Sequence, residues 1–361
     1  MIDFRYHVVS IVAIFLALTV GLVIGASILS KGVADNLKSG LTQRNNQIKS
    51  QQEQINSLKS QMDQQDKYIT DTADALTAGR LDGLCITLVE IAGADANAYA
   101  DTRTMIQKQA GATVCSEIMI NAAFTVSSSQ PALTTLLQEH TPRGQKLTGS
   151  LAQQGAELVA EALTTYQDVG AVAQTANPTP SATASAKSTA KSPAGAHASG
   201  TPSPGAGGST GAAGATMSAG QALGTLDDFQ TAGLITILTQ PVVGEAPTLA
   251  YVQAPSSANA DADNEAYITL AESLRKGGAG TVVGGSGQSA DKGGLVAAII
   301  GDSTATRQIS TVDDTDVTMG QVASVFSLSA ESQGGQSTAA GHYGTGANND
   351  GPVPPITAGL G

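Results

Sequence analysis

Two cysteines and a methionine, Cys85, Cys115 and Met119, are the residues of this 361-residue sequence best suited to chemistry. Thiolates and thioethers hold soft metals, activated thiols attack electrophiles, and paired thiols form disulfides. Cys85 lies in GLCITLVE and Cys115 in GATVCSEIM, both short apolar stretches that read as strands. Cys115 and Met119 are four residues apart, so on a strand their side chains share a face. Neighbouring parallel strands lie about 4.8 Å apart, close to the Cα separations a disulfide tolerates. A Cys85–Cys115 disulfide, closing a loop of about 30 residues, is the preferred reading. Two buried free thiols and a metal set of Cys85, Cys115 and Met119 are the alternatives. No Cys-x-x-Cys or Met-x-x-Met occurs, and His7, His140, His197 and His342 are far apart in the sequence.

Other chemistry is weaker. Gly285 to Ala290 formally fits G-x-G-x-x-A, a dinucleotide-binding pattern. It comes late in the chain, and Gly293 and Gly294 interrupt the helix that should follow, so a flexible strand-to-helix turn is expected. Asp313, Asp314 and Asp316 form a carboxylate cluster without the spacing of a calcium loop. Asp316 is expected to cap the last helix, because helix N-termini favour acids. No Gly-x-Ser-x-Gly elbow is present. The chain reads as a non-enzyme, with no catalytic and no cofactor-binding residue.

The elements that carry these residues begin with Val8–Leu29, 22 residues without a charge. That length spans a hydrocarbon core of about 30 Å and exceeds the apolar region of a cleaved signal, about 7–15 residues. A retained single-pass anchor is expected, with residues 1–7 in the cytoplasm and the body outside, where a disulfide persists. Ala17, Gly21 and Gly25 recur every fourth residue, a spacing that lets membrane helices approach closely. Leu41, Ile48, Ile55, Met62, Ile69 and Leu76 then recur every seventh. Their companion row, Arg44, Gln51, Leu58, Gln65 and Thr72, is mostly polar, so the seam is narrow. A shared anchor would raise the effective concentration of two such helices. Residues 31–79 are therefore predicted to form a coiled coil, with an uninterrupted rod of about 55 Å over Leu41–Ala78, in a parallel homodimer, with Gly21, Gly25, Leu41, Ile48, Ile55, Leu58, Met62, Ile69 and Leu76 as its seam.

Beyond residue 80 the chain holds 10 Lys and Arg against 23 Asp and Glu. Nucleic-acid affinity comes mainly from cations that neutralise phosphates, so this balance argues against it. Residues 81–169 read as strand, helix near Asp95–Gln109, strand, then helices at 131–139 and 147–166, with Asp95 as an N-cap. Residues 170–224, rich in Pro, Ala, Ser and Gly, offer no core and read as a disordered insert. The alternation resumes over 225–335: strands at GLITILTQ, APTLAYVQAP, GTVVGG and TRQISTVDD, and helices at NEAYITLAESLRK, near 292–300 and from Thr318. Residues 336–361 read as Gly/Pro-rich coil. The halves flanking the insert are expected to complete one three-layer α/β domain on a parallel sheet.

FRYHVVSIVAIFLALTVGLVIGASIL, the heptad segment, and ISTVDDTDVTMGQVASVFSL followed by GHYGTG together resemble the actinobacterial copper transport protein B (MctB) family. The resemblance covers nearly the full chain apart from the insert. His342-Tyr343-Gly344 and Ser310-Thr311-Val312-Asp313 are its most specific parts. It implies an envelope protein of copper homeostasis or copper ion transport, placed by the family name in the outer envelope, and makes copper the metal to consider. Copper(I) prefers thiolate and thioether donors, which points again to Cys85, Cys115 and Met119. The family also includes the division-associated SteB relative. That implies an alternative: a non-enzymatic coiled-coil scaffold binding envelope or division partners that control peptidoglycan hydrolysis. A single apolar helix forms no wide pore alone, and a membrane barrel needs strands of about 9–11 residues. The short apolar runs here fit a buried sheet better than a channel wall.

Overall fold

A computed structural model describes residues 4–165, 217–242, 247–334, 340–346 and 349–355. The chain divides into two compact units, Met1–Tyr68 and Ile69–Gly361. One helix, α1 (Phe4–Thr77), runs without a break through the apolar stretch and the heptad rows. Its segment Arg5–Ala26 has a mean hydropathy of 2.8 and is long and apolar enough to cross a membrane. Leu41, Ile48, Ile55, Leu58 and Met62 are 56–63% exposed among the described residues. Leu76, the last residue of the predicted seam, is 38% exposed. The last turns, Ile69–Thr77, belong to the second unit, where Ala73 and Thr77 are buried and Arg80 lies 4.1 Å over the Phe326 ring.

Among the described residues the second unit holds a seven-stranded sheet: β1 (Cys85–Ile91), β2 (Thr113–Ile120), β3 (Ile235–Thr239), β4 (Leu249–Gln253), β5 (Gly280–Gly284), β6 (Ser310–Val312) and β7 (His342–Tyr343). The order across it is β3-β2-β1-β4-β5-β6-β7. All neighbours are parallel except β2 and β3. The sheet is thus the mostly parallel one expected from the sequence, with one antiparallel edge strand. The helix before β3 delivers the chain beside the far end of β2, where Asn121 N bonds Leu234 O at 3.0 Å, so β3 can only run back.

Helices cover both faces. α3 (Gln130–His140), α4 (Leu151–Thr164), α5 (Ala219–Thr231), α6 (Asp261–Lys276) and α7 (Leu295–Gly301) bury apolar residues against one face, around Val89, Ile118, Val252 and Val283. α2 (Ala96–Thr104), the wider turn Met105–Gln109 and α8 (Thr318–Gly334) cover the other, around Ile86, Leu88, Tyr251 and Val312. Strands buried on both faces explain the near-continuous apolar runs. Asp95 caps α2 as expected, accepting from Asn97 N and Ala98 N.

Two boundaries move. α5 starts at Ala219, inside the stretch assigned to the insert, because Ser218 and Gln221 form a reciprocal capping box. Residues 170–216 of that stretch, His197 included, lie outside the described residues. The expected coil after residue 335 contains β7, which pairs with β6 through Thr311 opposite His342 and Val312 opposite Tyr343.

Candidate functional site

Open α/β sheets bind ligands beyond the carboxyl ends of the strands, at the point where strand order reverses. Here that point lies between β1 and β4, and a short strap closes it. Pro255 packs beside Gly93, and Ser256 N donates to Gly93 O at 2.9 Å. The neighbouring ends are stitched by Ala254 N to Gly284 O at 2.7 Å and Thr315 N to Gly285 O at 2.9 Å. Beneath them Tyr251 Oη donates to Gln253 Oε1, and Gln253 Nε2 to Thr315 Oγ1. Burial pushes the Tyr251 hydroxyl far above its ordinary pKa. Gly284 is required here, since a Cβ would collide with the Tyr251 ring. Gly285–Ala290 forms a tight turn before the seven-residue α7, the turn reading of that glycine motif.

The two motifs most specific to the family resemblance meet at the β6–β7 edge. Asp313 follows β6 and is 1% exposed. Its Oδ1 accepts from Thr345 N at 2.8 Å, and its Oδ2 from Gly346 N at 3.0 Å and Asn349 Nδ2 at 2.8 Å. Three donors hold one carboxylate, so Asp313 latches the Gly344-Thr345-Gly346 loop onto the sheet. Burial raises its pKa, Asn349 draws it down, and neighbouring Asp314 pushes it up. Asp314 has φ of 58° and holds Thr345 through its Oδ2. Gly344, at φ of 126°, is the residue no side chain replaces: a Cβ there would fall on Asp313 Oδ1. On the same edge His342 is clasped, Nδ1 by Thr311 Oγ1 at 2.8 Å and Nε2 by Thr306 Oγ1 at 2.9 Å. Asp316 does not cap α8. It lies exposed in the preceding turn, and the first helical bond runs from Gln321 N to Val317 O.

Beside the latch is a cavity of about 420 Å³ lined by Ala290, Ala297, Ile300, Gly301, Asp313, Gly346 and Asn349. Its walls combine Ala, Gly and Ile residues with one engaged carboxylate and one amide. Removing the latch should free the C-terminal segment while the rest of the sheet persists. Asp313→Ala is expected to lose about 1–3 kcal/mol, from donors left unmatched. Asp313→Ala and Gly344→Ala are both expected to be cleaved earlier than the wild type in the C-terminal segment in limited proteolysis. Unchanged protection of the tail in both variants would remove the latch role.

The sulfur chemistry resolves as a bridge. Cys85 and Cys115 form a disulfide with Cα atoms 5.6 Å apart. The strand register steps there: Ile86 sits beside Val114 but Thr87 beside Ser116, so Cys115 is an extra residue on β2. Both carbonyls are also held, Cys85 O by Thr248 N at 2.9 Å and Cys115 O by Val242 N at 3.1 Å. The bridge therefore fastens the entrance of β4 as well as β1 and β2. With its sulfurs paired, the Cys85, Cys115 and Met119 set has no thiolate to offer a metal. The methionines are spread out: Met105 in one core layer, Met217 in the other, Met62 exposed on α1. His7 is on α1, His140 meets Asp228 at 2.9 Å, and His342 serves the latch. Among the described residues, no three His, Cys, Asp or Glu side chains are grouped to hold a metal.

Sequence reasoning missed two ionic clusters, one half-buried and one buried. Arg103 grips Glu117 with two bonds of 2.9 and 3.0 Å, and Tyr99 Oη donates to the same carboxylate at 2.8 Å. Burial first, then the charge of Glu117, pushes Glu90 upward. Arg275 Nη1 meets Glu331 Oε2 at 2.7 Å, and Ser310 Oγ donates to Glu331 Oε1 at 2.7 Å. Their partners are 14 and 56 residues apart, and a helix-ending Arg-Lys pair such as Arg275-Lys276 gives the same pattern when it faces water.

Residues 1–354 match the family described as "Copper transport outer membrane protein, MctB". Curated relatives named "Copper transporter MctB", from Mycobacterium tuberculosis and Mycobacterium bovis, are each 24% identical over 349 residues. These alignments cover 96% of this chain and 97% of each relative. A match over residues 1–354 makes the chain a member of the MctB copper transport outer membrane protein family.

Proposed function

We propose that this protein is a non-enzymatic, membrane-anchored envelope protein that serves copper transport and homeostasis as a parallel homodimer. The observation that carries the reading is the family match over residues 1–354. Copper is the cargo in this reading and not a resident cofactor. α1 anchors the chain with its N-terminus in the cytoplasm and the α/β unit outside, where a Cys85–Cys115 bridge survives. The body contributes a rigid acidic surface for a protein partner in the envelope rather than a thiolate copper centre, and nucleic acid is not a partner.

The test has two arms. Cells lacking their own family member are loaded with copper, with and without this full-length chain. Lower cell copper and restored growth are expected with the chain, and unchanged copper content would sink the transport reading. Copper(I) is then titrated into the purified full-length protein before and after reduction. The oxidised protein is expected to take up no stoichiometric copper, whereas one tightly held copper per oxidised chain would overturn the indirect role.

A further inference from the structure

We infer that the dimer seam runs in one heptad register from the rod into the membrane, so that the pairing helices meet along Leu16, Val20 and Val23 while Gly21 and Gly25 face away. This rests on the homodimer reading and specifies its geometry. The starting point is continuity, because α1 is one helix from Phe4 to Thr77. A helix without a break carries its phase along its length, so the face used at Leu41 fixes the face used earlier.

Label Leu41, Ile48, Ile55 and Met62 as a positions. Counting back by sevens reaches positions 34 and 27, then Val20 and Ala13. The matching d positions are Leu58, Gln51 and Arg44, then Leu37, position 30, Val23 and Leu16. Within Val8–Leu29 this register is apolar except for Ser27, and Leu16, Val20, Val23 and Leu37 are all exposed, as are the rod positions. Gly21 falls at b and Gly25 at f. In a heptad-wound helix they stand about 130° and about 180° from the middle of the a/d seam. A straight helix also sets the faces apart, since Gly25 and Leu41 are then about 160° from each other. A Cβ at Gly21 or Gly25 would meet nothing within 4 Å. The glycine spacing and the heptad therefore cannot both face one partner.

The occupant is a second copy of this chain. Identical membrane anchors impose parallel alignment, and parallel coiled coils choose partners through g and e' residues. Here those pairs are Gln47 with Gln52, Gln54 with Lys59, and Gln61 with Asp66. None of these pairs sets like charges together, so they do not oppose self-pairing, and no strong charge pattern selects a different chain. Arg44 is the one charged seam residue, and its long stem lets the guanidinium reach water.

The two cysteines of the sequence are locked to each other, so any single cysteine added is the free thiol of the chain. Val20→Cys, Val23→Cys, Gly21→Cys, Gly25→Cys and Ile55→Cys are each made in the full-length chain and oxidised with iodine in native membranes. Dimer yields at 20, 23 and 55 are expected to exceed those at 21 and 25 by about fivefold or more. Gly21→Leu with Gly25→Leu should leave the cross-link at 55 unchanged. Cross-linking at 55 together with 21 and 25, but not 20 and 23, overturns the shared register and leaves the dimer standing. Equal yields at all four membrane positions overturn it too. No cross-link at 55 sinks the dimer itself, and this inference with it.

Discussion

Cys115→Ser is expected to lower the stability of the α/β unit by about 3–4 kcal/mol, the chain-entropy value for a loop of this size. The bridge links residues 30 apart in sequence, and breaking it returns that freedom to the unfolded chain. For a unit of this size, such a loss lowers the melting temperature by about 6–12 °C. Calorimetry on the wild type with and without a strong reductant measures the same quantity independently. Cys85→Ser and the double variant should match Cys115→Ser, because all three remove one bond. The loss should appear first around the bridge, since the Cys85 and Cys115 carbonyls hold Thr248 and Val242. Hydrogen exchange is therefore expected to quicken at Val242 and Thr248 before β5. Two free thiols titrated in the protein as isolated from an oxidising compartment, or identical melting with and without reductant, would refute this account.

How much of this was legible depends on the range of the signal. The apolar run, the heptads and the strands of β1, β2, β4 and β5 are local patterns whose period or length states the element. The Cys85–Cys115 bridge was legible because both residues sit in adjacent predicted strands. The direction of β3 was not, since an apolar run such as LITIL reads alike either way, and only the position of α5 decides it. Ser218 and Gln221 did announce the start of α5, as a Ser-x-x-Gln box, but the surrounding Ala and Gly hid it. The latch was half legible. VDDTD and GHYGTG stood out as motifs, yet two-residue β7 is too short for any periodicity, and nothing local ties Asp313 to Gly346. Asp316 looked like the cap of α8 because acids favour helix starts, but the chain enters that helix one residue later, at Val317. The glycine stripe and the heptad each looked like a dimer face, and only an unbroken α1 exposes their conflict.

The largest single-residue effect is expected at Arg275. Its guanidinium and the Glu331 carboxylate are 7% and 1% exposed, so each is solvated mainly by the other. Arg275→Met leaves a buried carboxylate without its cation, which costs about 3–5 kcal/mol at neutral pH. The pH dependence follows from the carboxylate. Burial raises the Glu331 pKa, while Ser310 and Arg275 pull it back. A raised folded pKa means the native state binds more protons than the unfolded chain. Stability from this group therefore falls as pH rises through the ordinary carboxylate range and is lowest above the folded pKa. Without Arg275 the folded pKa rises further, so the variant should recover most of its loss near about pH 4. Arg275→Met with Glu331→Leu removes both charges and should restore most of the stability at neutral pH, since apolar replacements of a buried pair are often neutral. Denaturant titrations of the three proteins at the two pH values decide it. Glu331 also accepts from Ser310 Oγ, which in turn takes Gly341 N at 3.1 Å, so the single variant should loosen β7 before the rest of the sheet. A loss that is equal at both pH values, or a double variant as weak as the single, would show that shape rather than unpaired charge sets the cost.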